Sequence, residues 1–166
     1  MANSDTPHGF TVMAPVCPLQ PYSVDASNGT AFFIGDHTIM ESDGNVAPST
    51  DGSETVGIGA TTSVLAASTA GTVLVHDDKD QRFYVQGVSG TAATQTMIGN
   101  ASDTSVSAGN ANTNISGHEL LISTLSTSVG QWAIHDMLAL VGQTLAEHAE
   151  IVVKPNEHLN AVVAGV

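Results

Sequence analysis

Most of the histidines stand beside an acid, among them Asp36-His37, His76-Asp77, His135-Asp136, Glu147-His148 and Glu157-His158. Imidazole and carboxylate are common metal donors, so these pairs are the first place to look for chemistry. Adjacent side chains on a strand point to opposite faces, however, so no such pair can close on one ion locally. No HxxxH, HxH or HExxH spacing is present. A metal-dependent enzyme would need three or more of His37, His76, His118, His135, His148 and His158 to converge from separate segments. The histidines are therefore expected to be polar strand residues and loop caps, with no metal and no cofactor.

Other reactive groups are equally sparse. Asp77-Asp78-Lys79-Asp80 lacks the glycine and the distal glutamate of an EF-hand loop, so it is expected to be a solvated hairpin end, with a weak calcium site as the alternative. Cys17 lies among prolines with no basic neighbour to lower its pKa, and as the single cysteine it forbids an internal disulfide. There is no G-x-S-x-G nucleophile turn, and Gly57-Ile58-Gly59 has too few glycines for a phosphate loop. The only cations are Lys79, Arg82 and Lys154, a poor basis for holding anionic substrates. The chain is not expected to be an enzyme.

With 3 Lys+Arg against 16 Asp+Glu, the formal charge is −13. That balance excludes the basic footprint of nucleic-acid binding and works against adhesion to anionic membranes. The opening has no basic residue and no apolar run, unlike a signal peptide. The longest apolar stretch, Met137–Val141, falls far short of the ~18–20 residues of a membrane span. Synthesis and residence in the cytoplasm are expected. At 166 residues the chain suits one domain with or without an arm. Charged residues make up 11% against about 25% in ordinary domains, and Ser and Thr supply the polarity instead.

Residues 1–21 have the character of an extended arm. Pro7, Pro15, Pro18 and Pro21 fix φ and remove donors, while Val12, Met13, Val16 and Leu19 offer apolar contacts. Residues 22–166 have the character of a β-rich domain. Strands are expected at Tyr22–Val24, Thr30–Ile34, His37–Met40, Thr55–Ile58, Glu119–Leu125, Gln131–Val141 and Glu147–Lys154. Ala47–Ser53 has the composition of a loop, and Ser63–Thr69 fits either a strand or a loop. Turns are expected at Asn28-Gly29 and Asp43-Gly44. Gly71–His76 and Gln81–Gly87 have the alternation of a hairpin. Gly57 and Gly59 suit a bulge. Ala92–Ile98 suits one short helix ended by Gly99. Asn110–Ser116 is a polar loop. Together these features predict an all-β fold, a compact sandwich or barrel-like domain with an extended N-terminal arm.

Several segments together carry a resemblance. They are Asn3-Ser4-x-Thr6-Pro7-x-Gly9-Phe10, Phe33-Ile34-Gly35-Asp36, Val73-Leu74-Val75-x-Asp77-Asp78, Phe83-x-Val85-Gln86, Ser116-Gly117-x-Glu119-Leu120 and Glu150-Ile151-Val152-Val153-Lys154-x-Asn156-x-His158. In this order and spacing, over nearly the whole chain, they resemble the head decoration (cement) proteins of tailed bacteriophages. At Thr11-Val12-Met13 the chain departs from the basic residue that usually follows Gly-Phe. The resemblance implies a non-enzymatic virion protein, assembled in the host cytoplasm onto the outer surface of an icosahedral capsid. It implies trimers at three-fold or quasi-three-fold positions that bridge neighbouring major capsid proteins and stabilise the expanded shell. Capsid contact is expected from Pro7, Gly9, Phe10, Val12 and Met13, with Phe10 as the apolar anchor. Another use of the arm is exchange between subunits of the trimer. The rival reading is a virion-surface receptor- or glycan-binding module working through loops such as 100–116. Such sites favour exposed aromatics, and this chain has 1 Trp and 2 Tyr, with Trp132 expected in the core.

Overall fold

The computed structural model describes residues 3–50, 57–138 and 144–156. Its strands form two antiparallel sheets, the all-β sandwich that the strand and turn pattern predicts. The first sheet runs β1 (Thr11–Val12), β7 (Phe83–Gln86), β11 (Glu150–Pro155), β10 (Trp132–Met137), β8 (Ala101–Ser105), β9 (Glu119–Ser126). The second runs β2 (Leu19–Val24), β6 (Gly71–His76), β5 (Gly57–Thr61), β3 (His37–Met40), β4 (Val46–Pro48). Alternation does the sorting. Phe83 and Val85, Leu120 and Ile122, Trp132 and Ile134, and Ile151 and Val153 all point into the main core. Val24, Val46, Val73 and Val75 gather with Phe32 in a second cluster. Each fully buried side chain of this size contributes about 1.5–3 kcal/mol.

Local turn chemistry also behaves as expected in places. Asp43-Gly44 sits in the β3–β4 hairpin, where Gly44 takes φ +87° and Glu41 N–H donates to Asn45 O at 2.9 Å. Thr38 faces Gly59 while Ile39 faces Gly57, so Ile58 is the extra residue of a bulge. Ser63–Thr69 is a loop that touches Phe32 by one bridge at Leu65.

Other expectations are corrected. β6 and β7 do not form a hairpin with each other: β6 pairs with β2 and β5, and β7 pairs with β1 and β11. The acidic connection between them carries the chain from one sheet to the other. Each strand has its own inward face, and alternation specifies a face without specifying a neighbour. Thr30–Ile34 makes only isolated bridges, at Phe32–Leu65 and Ile34–Ile115. The Asp36 carboxylate accepts Phe33 N–H at 2.7 Å and bends the chain there. Ala92–Ile98 contributes a single 3-10 turn, Gln95–Met97. In β10 the register slips between Ile134 and Asp136, which leaves both His135 and Asp136 exposed and breaks the alternation expected beyond them. The expected loop at Ala47–Ser53 begins inside β4 instead. Residues 51–53, Thr55, Leu140, Val141, Glu157 and His158 lie outside the described residues.

The division into a 1–21 arm and a 22–166 domain is also not what the described residues form. Thr11–Val12 belongs to the first sheet, and Leu19–Pro21 opens β2. Pro21 is tolerated because β2 is an edge strand, where a missing donor costs no ladder bond on the open side. No helix among the described residues is long and apolar enough to cross a membrane.

Candidate functional site

The expected contact residues lie in a segment that is stitched onto the first sheet. Asn3 begins the seam: its Nδ2 donates to Thr144 O and Glu147 O, both at 2.9 Å, and its Oδ1 accepts Thr144 N–H at 3.0 Å. Gln86 continues it. The Gln86 Oε1 accepts Thr6 N–H at 2.9 Å, and its Nε2 donates to Ser4 O at 2.9 Å. His8 Nε2 lies 3.0 Å from Glu150 Oε2, with its ring 5.2 Å from Tyr84. Burial alone would lower the His8 pKa, but the hydrogen bond and charge of Glu150 outweigh it and the net direction is up. Residues 3–8 thus lie over the outer side of β7 and β11, where the outward-facing Gln86 and Glu150 are buried.

At Gly9 the chain turns inward. Its φ is +68°, and a Cβ there would stand 2.6 Å from both Gly35 O and Ser116 Cβ. Phe10 N–H donates to Gly35 O at 2.8 Å, Gly35 N–H donates to Thr61 O at 2.8 Å, and Ser116 N–H donates to Ile34 O at 2.9 Å. Phe10 is 3% exposed and stacks on Trp132 with ring centroids 4.1 Å apart. Its anchoring is therefore internal, in place of the expected seat on a neighbouring subunit. Thr11 and Val12 pair with Tyr84 and Phe83, and Met13 N–H donates to Arg82 O at 2.9 Å. Pro7, Val12 and Met13 remain half-buried at this edge of the sheet. Gly9→Ala is expected to cost about 1–3 kcal/mol from the left-handed backbone and the close carbonyl, read as a lower urea midpoint at unchanged slope.

Beyond Met13 the chain emerges. Ala14–Val16 and Pro18–Pro21 are exposed, with Val16 at 59% and Leu19 at 39%. Cys17 in this stretch is half-buried, and its N–H donates to Gln81 Oε1 at 2.8 Å. Desolvation and the Asp78 and Asp80 carboxylates push its thiol up, away from the reactive thiolate. The acidic turn uses its own carboxylates: Asp77 accepts from Tyr22 Oη–H, and Asp78 Oδ1 accepts Asp80 N–H at 2.7 Å.

Two histidines converge in the interior. Trp132 Nε1–H donates to Thr104 Oγ1 at 2.9 Å, and Thr104 Oγ1 lies 3.0 Å from His37 Nδ1. The Thr104 hydroxyl has a second lone pair as well as its own proton, so it pairs with His37 Nδ1 in either tautomer of the ring. His37 backbone N–H donates to His118 Nδ1 at 3.1 Å, which leaves the His118 proton on Nε2, 3.6 Å from Asp36 Oδ1. Burial lowers His37 to about 3 and His118 to about 4, and raises Asp36 to about 6. Asp36 and His118 also floor a 430 Å³ cleft lined by Phe33, Ser49, Val106 and Gly109. Their polar atoms are engaged in bonds that hold the fold: Asp36 with Phe33 N–H, His118 with His37 N–H.

Sequence reasoning missed one convergence: Asp5, Glu119 and His148 bring ligand atoms within 4.8 Å of one another. Three separate segments supply them, so no local spacing could have signalled it. Of the aromatic rings a sugar could stack on, Phe33 is half-buried and lines the cleft above Asp36 and His118. Phe10, Phe32, Phe83 and Trp132 are buried, and Tyr22 and Tyr84 are half-buried. The segments carrying the phage resemblance meet in space. Gly9-Phe10 joins Ile34-Gly35 and Ser116, and Ser4 and Thr6 bind Gln86. No protein-family model, curated protein or solved structure matches this chain.

Proposed function

We propose that the chain is a structural protein of a tailed-bacteriophage virion that decorates the outer surface of the icosahedral head. In this reading it acts as a trimer, bridges major capsid proteins and stabilises the shell without catalysis. The carrying observation is the largely exposed, proline-punctuated stretch Ala14–Pro21, the crossover into β2 and its first residues, which presents Val16 and Leu19 and follows half-buried Val12 and Met13 in the chain. Prolines hold such a segment extended at low entropic cost, which suits laying it along another surface. The mutual packing of the resembling segments supports the reading too, since their order and spacing then have a structural cause. Capsid contact on this account centres on Val12, Met13, Val16 and Leu19, with Pro7 flanking. Gly9 and Phe10 serve by fixing the base from which that surface projects. Stabilisation is linkage: a protein that binds only the assembled lattice adds to the cost of losing it.

The test is cosedimentation of the purified chain with undecorated, expanded heads of its own phage, alongside a glycan array. Saturable binding to expanded heads is expected, with no glycan captured. The pair Val16→Asp and Leu19→Asp is expected to weaken binding about tenfold or more. Failure to bind heads at all, or glycan capture in its place, would overturn the reading. Full binding by the double variant would remove the crossover from the contact surface.

A further inference from the structure

Beneath the opening segment lies a polar cluster that the decoration reading does not use. Glu119 opens β9 at the rim of the first sheet. It is only 7% exposed, yet its Oε1 has no hydrogen-bond partner. His148 sits just before β11 with φ +55°, and its Nδ1 is likewise buried without a hydrogen bond. Asp5 closes the group from the N-terminal segment, its Oδ1 3.7 Å from His148 Nδ1. The placement is firm on both sides. Asn3 ties the segment to Thr144 and Glu147, while Gln86 holds Ser4 O, Thr6 N–H and, at 3.3 Å, His148 O. A 540 Å³ hollow lined by Asn3, Asp5, Ala92, Glu147 and His148 gives access.

Burying a carboxylate oxygen with no donor costs free energy, so the fold has placed a lone pair where something else must meet it. We propose that a carboxylate oxygen from each of Asp5 and Glu119 and a ring nitrogen of His148 form a binding site for one divalent transition-metal ion of the zinc type, which clamps the N-terminal segment to the first sheet. One imidazole with two carboxylates is a borderline donor set, better suited to zinc than to calcium, which prefers six or more oxygens. Ligand atoms within 4.8 Å need only a small closure to reach bonds of about 2.0–2.2 Å to a shared ion. Water entering from the hollow completes the coordination. Desolvation first, and repulsion from Asp5 second, push the Glu119 carboxyl up, and a dication there relieves both. The site joins three distant parts of the chain and stands whether or not the protein decorates a head.

The experiment uses the full chain, stripped with a chelator and then titrated with zinc chloride. One zinc per chain is expected to survive desalting, and zinc at 100 times its Kd is expected to raise Tm by about 5–10 °C. Asp5→Asn is the decisive variant, because Asp5 is 62% exposed and its loss leaves the fold intact. It should weaken zinc binding at least tenfold and abolish the Tm shift, and Glu119→Gln should do the same. His135→Ala, at an exposed histidine away from the cluster, should bind like the parent. Absence of a zinc-dependent Tm shift would overturn the proposal, as would parental affinity in Asp5→Asn.

Discussion

Phe10→Ala is expected to destabilise the chain by about 3–5 kcal/mol, the range for removing a fully buried aromatic ring from a core. The ring is flat against Trp132 at 4.1 Å, and Trp132 is in turn met edge-on by Phe83 at 5.6 Å and by His37 at 5.0 Å. Deleting it opens one side of the aromatic stack. The neighbours cannot close the gap freely, because Thr104 holds the indole nitrogen and the backbone at Phe10 is tied to Gly35. For a chain of this length the loss corresponds to a fall in Tm of about 6–20 °C. Val12→Ala, at a half-buried edge position, should cost under about 1.5 kcal/mol. Thermal unfolding followed by circular dichroism reads both. Had Phe10 served as an anchor for a neighbouring subunit, its removal would leave Tm unchanged and weaken binding alone. A Phe10→Ala chain as stable as the parent would therefore return the segment to the status of a free arm. The same geometry says that deleting residues 1–15 removes a piece of the core along with any contact surface, so truncation cannot separate folding from binding.

Period-two alternation fixed which residues face inward, and this held for Val73 and Val75, Phe83 and Val85, and Ile151 and Val153. Turn chemistry placed the β3–β4 hairpin. Neither signal says which strand lies next to which. The chain order suggested that β6 and β7 pair, but β6 is held over its whole length by β2, from Leu19 opposite His76 to Val24 opposite Gly71. The burial of Glu150 and Val152 was equally hidden. Both point away from the core, and Glu150 is covered where His8 of the opening segment crosses over it. The prolines of the opening argued correctly against a helix or a central strand. They were silent on whether the extended chain would lie on its own sheet or on another molecule. The Asp5, Glu119 and His148 cluster depends on that same crossing, so it was unreadable for the same physical reason.

Acidification is expected to unfold this protein through its two interior histidines. Both rings are buried, and His118 Nδ1 accepts a hydrogen bond from His37 N–H, so a proton taken up by either ring buries a charge and one on His118 Nδ1 also breaks that bond. Their folded pKa values, about 3 and about 4, lie below the ordinary 6.5, because burial disfavours the charged form. Between pH 6 and pH 4 the unfolded chain therefore binds about two more protons at these sites than the folded one. Asp36 works the other way. Its folded pKa is raised to about 6 from 3.8, again by burial, so the folded chain holds about one more proton there over the same range. The balance at this cluster is about one proton taken up on unfolding, and stability should fall by about 1.4 kcal/mol per pH unit on going down from pH 6 to pH 4. In Tm that is about 3–5 °C per unit. His37→Asn removes one of the two proton sites and should flatten the slope towards zero, whatever its effect on stability at neutral pH. The comparison is of Tm against pH for the two chains. A parent Tm that holds level or climbs as pH falls from 6 to 4 would contradict the neutral, buried state of His37 and His118. Equal slopes in parent and variant would place the acid sensitivity elsewhere.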